Sequence, residues 1–299
     1  MTYYSVYRSR SEQLAEQLET DGDYRVLRRL PRREEIWCRS MPLPQRGSKM
    51  CLGVIDTETT GLDCWQHKLI ELALVKLVID TERGDVLDVS APCSWLEDPG
   101  EPLVPEIEML TGLTDAQLRG EQFPDEAILQ TLDDVDVLVS HNSAFDLSFL
   151  TKRLPKIGHP WACSAREVDW PTMGLGSGRS MGALLTAAGH FLPDAHRAAP
   201  DTWALTCLLM MRSLDGRTIA AHLLERARKT TLRLYAVGAP FEFKDALKAA
   251  GYRWCAERRA WWVEADPERI ANEQAWLAEL HPRIKPLVRE IDWFDRHKA

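Results

Sequence analysis

A mixed α/β fold, a sheet covered by helices on both faces, is what this 299-residue sequence predicts, and three observations carry it. Strand-like stretches follow one another from Met50 (CLGVID, LIELALVKLVI and DVLDVSAPCSWL), as in an antiparallel meander. Helical periodicity then takes over around 105–110, 115–118 and 125–132. After it, VDVLVS reads as a buried strand feeding the helix SAFDLSFLTKRL. A meander followed by alternating helices and strands calls for a mixed sheet.

The remaining elements follow in order. A short strand is expected near 161–164, a helix at 180–188 and a long apolar helix opening at Pro200. The Gly-rich stretch Gly174-Leu-Gly176-Ser-Gly178 lacks the Gly-Lys-Ser/Thr ending of a phosphate cradle and reads as a loop. Residues 1–47 form an amino-terminal helix/strand extension: an amphipathic helix at 11–20, the strand-like DYRVLRRL and the linker-like SMPLPQRG. Residues 48–213 form the main domain, and 214–299 a basic, Trp-rich carboxyl-terminal module with helices. In that module Thr231–Val237 is strand-like, 243–250 a short helix with Gly251 at its end, and 252–263 a hairpin turning at AERR, which together make a small β-α-β-β unit. Residues 267–299 read as helical.

Hydrophobic residues are 45% of the chain, enough for a sizeable core. The start lacks a signal-peptide pattern, and no apolar run nears the roughly 18 residues of a membrane span, so a cytoplasmic protein with no membrane contact is expected. Seven scattered cysteines without a Cys-x-x-Cys pair read as reduced thiols. Cys64 and His67 have half the spacing of a zinc site, with no second pair to complete it. Charge is uneven: residues 48–211 hold 11 Lys and Arg against 25 Asp and Glu, whereas residues 212–269 hold 12 against 8. An acidic centre with basic flanks suits cations in a site and phosphate at its edge, although solvated faces produce the same pattern.

The stretch VIDTETTGLD places Asp56 and Glu58 on one face of a strand. Unless a cation lies between them, two like charges there cost stability and raise a pKa. In His141-Asn142-Ser-Ala-Phe145-Asp146, Asn142, Phe145 and Asp146 share one face of a helix start. In His196-Arg-Ala-Ala-Pro200-Asp201, Pro200 and Asp201 suit a first helical turn and His196 the loop before it. Taken singly, these residues are ordinary caps and surface groups.

Together and in this order they resemble the DEDDh, or DnaQ-like, superfamily of 3′–5′ exonucleases, which includes polymerase proofreading subunits and RNase T-like ribonucleases. Asp56-Thr-Glu58 is similar to its first motif, Asn142 with Phe145-Asp146 to its second, and His196 through Asp201 to its third. Leu69-Ile-Glu71-Leu-Ala73 and Met109-Leu-Thr-Gly-Leu113-Thr add to the likeness.

The resemblance implies an RNase H-like mixed sheet flanked by helices. It implies Asp56, Glu58, Asp146 and Asp201 as oxygen ligands of two Mg²⁺ or Mn²⁺ ions, which in such sites lie about 3.5–4 Å apart. It makes His196 the general base, and places Thr59, Thr60, Leu113, Asn142 and Phe145 against the terminal nucleotide. For Leu113 and Phe145 a core role is an equal alternative, and Glu71 supports the ligands from behind. The implied partner is the 3′ end of DNA, single strands preferred, with nucleoside monophosphates released; RNA is the alternative substrate. A noncatalytic nucleic-acid-binding or scaffold protein on the same fold is the other reading. In the carboxyl-terminal module Trp254, Trp261 and Trp262 alternate with Arg253, Arg258 and Arg259, a mixture suited to stacking and phosphate contact, to docking a protein partner, or to a purely structural role.

Overall fold

The computed structural model describes residues 9–36, 48–81, 84–256 and 258–298. The linker-like SMPLPQRG, residues 82 and 83 between LIELALVKLVI and DVLDVSAPCSWL, and residue 257 of the hairpin turn lie outside them. In chain order the first half comprises α1 (Arg10–Thr20), β1 (Arg28–Arg29), α2 (Arg33–Ile36), β2 (Lys49–Thr59), β3 (Leu69–Asp80), β4 (Val86–Val89), β5 (Cys93–Leu96), α3 (Pro105–Thr111), α4 (Asp115–Leu118), α5 (Asp125–Leu132), β6 (Val137–Ser140) and α6 (Ser143–Arg153). Then come β7 (Trp161–Cys163), α7 (Ser164–Glu167), α8 (Met181–Ala187), β8 (His190–Phe191), α9 (Ala198–Met210), α10 (Ile219–Arg228), β9 (Thr231–Val237), α11 (Lys244–Ala249), β10 (Arg253–Cys255), β11 (Ala260–Ala265), α12 (Pro267–Leu280) and β12 (Lys285–Ile291).

The large sheet runs β4-β3-β2-β6-β7, with β5 also paired to β3. β2 and β3 are antiparallel over their whole length, while β6 runs parallel to β2 and β7 parallel to β6. This is the predicted RNase H-like mixed sheet flanked by helices. The stretch DVLDVSAPCSWL is not one strand. Pro92, which has no N–H for a ladder, falls in the gap between β4 and β5.

Period-two alternation sends the two faces of β2 into different cores. Leu52 and Val54 pack with Leu205, Leu208 and Leu209 of α9 and with α10, whereas Cys51 and Ile55 pack with Leu147, Phe149 and Leu150 of α6. Each fully buried aliphatic side chain contributes about 1.5–3 kcal/mol. β2 and β6 approach so closely that a Cβ on Gly53 would lie 2.9 Å from Leu138 Cδ2 and from Val135 Cγ1. Glycine is what lets the strand carrying the acids sit in the middle of the sheet.

α10 buries Ile219, Leu223, Leu224 and Ala227 in the α9 core, so the small sheet with its own core begins at Thr231 and not at residue 214. That sheet runs β10-β11-β9-β12, a β-α-β-β-α-β unit rather than β-α-β-β. The helical reading of 267–299 holds for α12 alone. KPLVREI becomes β12 because the open edge of β9 offers it a full antiparallel ladder, and Pro286 is tolerated on an edge strand. The module meets the large sheet at its outer strand, where Trp161 N–H donates to Trp293 O at 2.9 Å. At the other end of the chain β1 pairs with β8, and Trp203 Nε1 donates to Pro31 O at 2.8 Å. Among the described residues no helix is long and apolar enough to cross a membrane.

Candidate active site

The central strand ends in an alternation that separates its side chains by face. Asp56 and Glu58 share the face of Leu52 and Val54, toward α9, while Thr57 points toward α6. Asp201 lies in the first turn of α9 and completes a group of three: one carboxylate oxygen from each of Asp56, Glu58 and Asp201 lies within 4.8 Å of the others. Full charges at that separation repel by about 3 kcal/mol or more per pair at an effective dielectric near 20. No cationic side chain among the described residues makes an ion pair with any of the three.

The electrostatic consequence is plain. Burial, then the Asp201, Glu71 and Asp146 charges, push Glu58 up to about 8. Burial and the surrounding acids hold Asp56 well above the carboxylate range. Asp201 is also raised, by burial, against the pull of the His196 N–H. Three hard oxygen donors, close together and reluctant to ionise side by side, are the donor set of a divalent cation such as Mg²⁺ or Mn²⁺.

Asp146 lies outside this trio. It is carried by α6 on the other face of β2, where its Oδ1 accepts from Thr57 Oγ1 at 2.8 Å. Burial pushes it up to about 6, and the Thr57 and Ser140 hydroxyls restrain that rise. Its charge nevertheless reaches Asp56, so the two faces meet at the strand end.

His196 is exposed on the loop before α9, in the left-handed region at φ 65°, and its N–H donates to Asp201 Oδ2 at 2.7 Å. Asn142, just after β6, is exposed at φ 87°. Non-glycine residues in this region cost on the order of 1–3 kcal/mol and gather at functional sites. Thr59 is buried with Oγ1 bonded to Gly61 O at 2.6 Å, and Thr60 Oγ1 accepts from Lys68 N–H at 3.0 Å. Phe145 is half-buried, its ring 5.0 Å from Phe149. Leu113 is fully buried and packs in the core with Ile70, Leu103 and Leu118. The exposed apolar groups nearby are Met109 and Leu110, which help line a cleft of about 510 Å³ together with Asp194, Arg197 and Pro200.

Two residues absent from the sequence-based set shape this site. Arg197 donates to Glu71 through Nε at 3.0 Å and Nη2 at 3.2 Å, and Ala198 N–H reaches the same carboxylate at 3.2 Å. Glu71 thus anchors the loop that carries His196. Thr57 is the other. Position beside a motif residue, Asp56 and Glu58 for Thr57 and His196 for Arg197, was the available signal for each.

The RNase T exonuclease family matches residues 54–208, half of the chain and the stretch from the end of β2 through α9. The chain belongs to this exonuclease family. Over 108 residues the chain is 38% identical to the PolC-type DNA polymerase III of Halalkalibacterium halodurans, a match covering 35% of the chain and 7% of the polymerase. The corresponding protein of Pediococcus pentosaceus is 29% identical over 185 residues, covering 58% of the chain and 12% of the polymerase. The chain therefore spans only a small part of the length of these relatives. Among solved structures, exonuclease X in complex with 5′-overhanging duplex DNA aligns at a TM-score of 0.39 and 23% identity, covering 70% of this chain and 97% of that one. E. coli exonuclease I in complex with a dA16 oligonucleotide aligns at 0.47 and 14%, covering 84% and 64%.

Proposed function

We propose that this exonuclease hydrolyses the terminal phosphodiester at the 3′ end of DNA, single strands preferred, and releases nucleoside monophosphates. The observation that carries the reading is the half-buried trio of Asp56, Glu58 and Asp201, joined through the backbone N–H of His196 to a loop histidine. Asp56, Glu58 and Asp201 would hold one divalent cation and Asp146, with Asp56, a second. Such ions stabilise the charge that develops on phosphoryl oxygens.

The chain's own residues do the rest. His196 accepts the proton of the attacking water on its ring, and its exposed loop position lets it approach and leave. Asp201 fixes the backbone of that loop, and the Glu71–Arg197 pair fixes its far side. Asn142 and Phe145, at the start of α6, and Thr59 and Thr60, at the end of β2, border the 3′-terminal sugar. The cleft beside Met109 and Leu110 receives the last base, the role expected of Leu113. The catalytic unit is residues 48–213 extended by α10, which shares its core.

A digestion panel tests the proposal. End-labelled single- and double-stranded DNA and RNA are incubated with Mg²⁺, Mn²⁺ or EDTA. The expected result is stepwise shortening of 5′-labelled single-stranded DNA, dependent on the cation and blocked by EDTA. Immediate release of the 5′ label as a mononucleotide would reverse the direction, and faster loss of RNA would replace the substrate.

A further inference from the structure

We infer that a second phosphate site, separate from the acidic trio, lies at the junction of the large sheet and the carboxyl-terminal module, and that it holds the backbone of the strand being degraded. The inference rests on the proposed function only for the identity of that strand. The site is a cavity of about 300 Å³. Arg166 of α7 and Arg226 of α10 line it from the large domain; Arg253 of β10, Trp262 of β11 and Arg269 of α12 line it from the module.

Its charges do not balance. Arg296, Arg166, Arg226, Arg253 and Arg269 share the cavity with two glutamates, Glu167 and Glu264. Both glutamates are already engaged: Glu167 accepts from Arg296 at 2.5 Å and pairs with His297, while Glu264 pairs with Arg233 at 3.0 Å and Arg296 at 3.1 Å. Arg269 is shared with Glu273, outside the lining. No acidic side chain among the described residues pairs with Arg166, Arg226 or Arg253. Partial burial and the Arg166 charge depress the Arg253 pKa, as expected of cations gathered without a counter-ion. The buried His297 Nδ1, also at this cavity, has no hydrogen-bond partner among the described residues. Trp262 carries Arg233 at 4.3 Å and Arg253 at 5.8 Å from its ring, so an aromatic face stands among the cations.

Topology brings one wall of this cavity, Arg166, to the edge of the sheet that carries the acids. β2, β6 and β7 run parallel; the acidic motif lies in the last residues of β2, Asn142 follows β6, and α7 with Arg166 follows β7. Neighbouring strands are about 4.8 Å apart, which puts the end of β7 about 10 Å from that of β2. A His141 Nδ1 to Ser164 Oγ hydrogen bond of 2.8 Å ties the start of α6 to the start of α7 along this edge. Guanidinium forks and an aromatic face suit phosphodiesters and bases of a single strand.

The test measures binding of a fluorescent 20-nucleotide single-stranded DNA to the full chain in EDTA, across a salt series, with wild type, an Arg166→Gln/Arg253→Gln double variant and Arg226→Gln alone. Each lost phosphate contact should lower the slope of log affinity against log salt by about 0.7. The double variant should bind at least about tenfold more weakly with a slope lower by about 1.4, and Arg226→Gln should lose about half of that slope change. Thermal melting confirms that each variant is folded. Unchanged affinity and slope in both would overturn the inference. Protection of the wild type, but not the double variant, by millimolar deoxynucleoside monophosphate with oligonucleotide binding intact would also overturn it, making the occupant a free mononucleotide. Because binding is read without turnover, a chain that binds through these arginines but cleaves nothing sinks the nuclease proposal alone.

Discussion

The acidic cleft at the end of β2 and the arginine pocket beyond β7 follow one plan with the signs exchanged. In the cleft, Glu71 has Arg197, while Asp56, Glu58 and Asp201 make no ion pair among the described residues. In the pocket, Arg233 and Arg296 have Glu264 and Glu167, while Arg166, Arg226 and Arg253 make no ion pair among the described residues. Each site has a compensated rim that holds the chain together and an uncompensated centre that waits for a ligand of opposite charge. Like charges kept together without a counter-ion lower stability. The difference between rim and centre is therefore open to mutation: centre residues should affect ligands, and rim residues the fold.

The sharpest break is Asp56→Asn. Hydrolysis should fall on the order of 10³-fold or more, the worth of several kcal/mol of lost transition-state stabilisation. Stability should move the other way. A carboxylate whose folded pKa is raised stabilises the protein below its unfolded pKa and loses that contribution as pH climbs through the folded value. For Glu58 this window runs from about 4.5 to about 8. In EDTA the wild-type melting temperature should therefore fall from pH 5 to pH 8, and Asp56→Asn, with one acid fewer, should fall less; calorimetry across that range decides. Saturating Mg²⁺ should flatten the wild-type curve. A wild-type profile that is already flat without cation would show that the trio is not under repulsion.

Next in size is His196→Asn, expected to lower kcat about 10²–10⁴-fold, the range of a lost general base. Asparagine tolerates the left-handed backbone at φ 65°, so melting should stay unchanged and the loss can be assigned to the ring. A loss in KM alone, with kcat intact, would move His196 from proton transfer to substrate binding.

Much of the cleft was legible in the sequence because its acids fall at local spacings. Asp56 and Glu58 are two apart on a strand, and Asn142, Phe145 and Asp146 begin a helix. The sheet was legible for the same reason, except where Pro92 divides a strand and where β12 forms because a partner edge is open. What was not legible depends on distance along the chain. Arg197 meets Glu71 across 126 residues. Leu113 sits in a motif, yet it faces Ile70 and Leu118 inside the protein, and local spacing cannot tell a buried leucine from one beside a base. The arginine pocket draws on residues from 166 to 297, and the alternation of Trp and Arg at 253–262 showed only one wall.

The largest stability loss should come from the rim of the pocket. Arg296 and Glu167 side chains are only 7% and 5% exposed, and Arg296 also donates to Ala227 O at 2.7 Å and to Lys229 O. Arg296→Ala takes the arginine from the buried Glu167 carboxylate, leaving it only His297 and the Cys163 N–H, which costs about 3–5 kcal/mol. Arg253→Ala, in the centre, should remain within about 0.5 kcal/mol of wild type in denaturant unfolding. Equal losses in the two variants would erase the division between rim and centre.

The smallest effect tests whether the rim of the cleft is compensated at all. In the β2–β3 register Glu71 stands opposite Glu58, so its charge does two opposing things. It holds Arg197 and the Ala198 N–H, and it pushes Glu58 upward. Glu71→Gln keeps the shape, weakens three charge-assisted hydrogen bonds and removes one repulsion. Because Arg197 is one-third exposed, its released charge is partly solvated, and the net cost should be about 1–2 kcal/mol in denaturant unfolding. Glu58 should then titrate lower, moving the pH-dependent loss of stability in EDTA toward acid. If Glu71→Gln instead stabilises the metal-free protein at pH 8, repulsion outweighs the ion pair, and Glu71 belongs with the uncompensated centre.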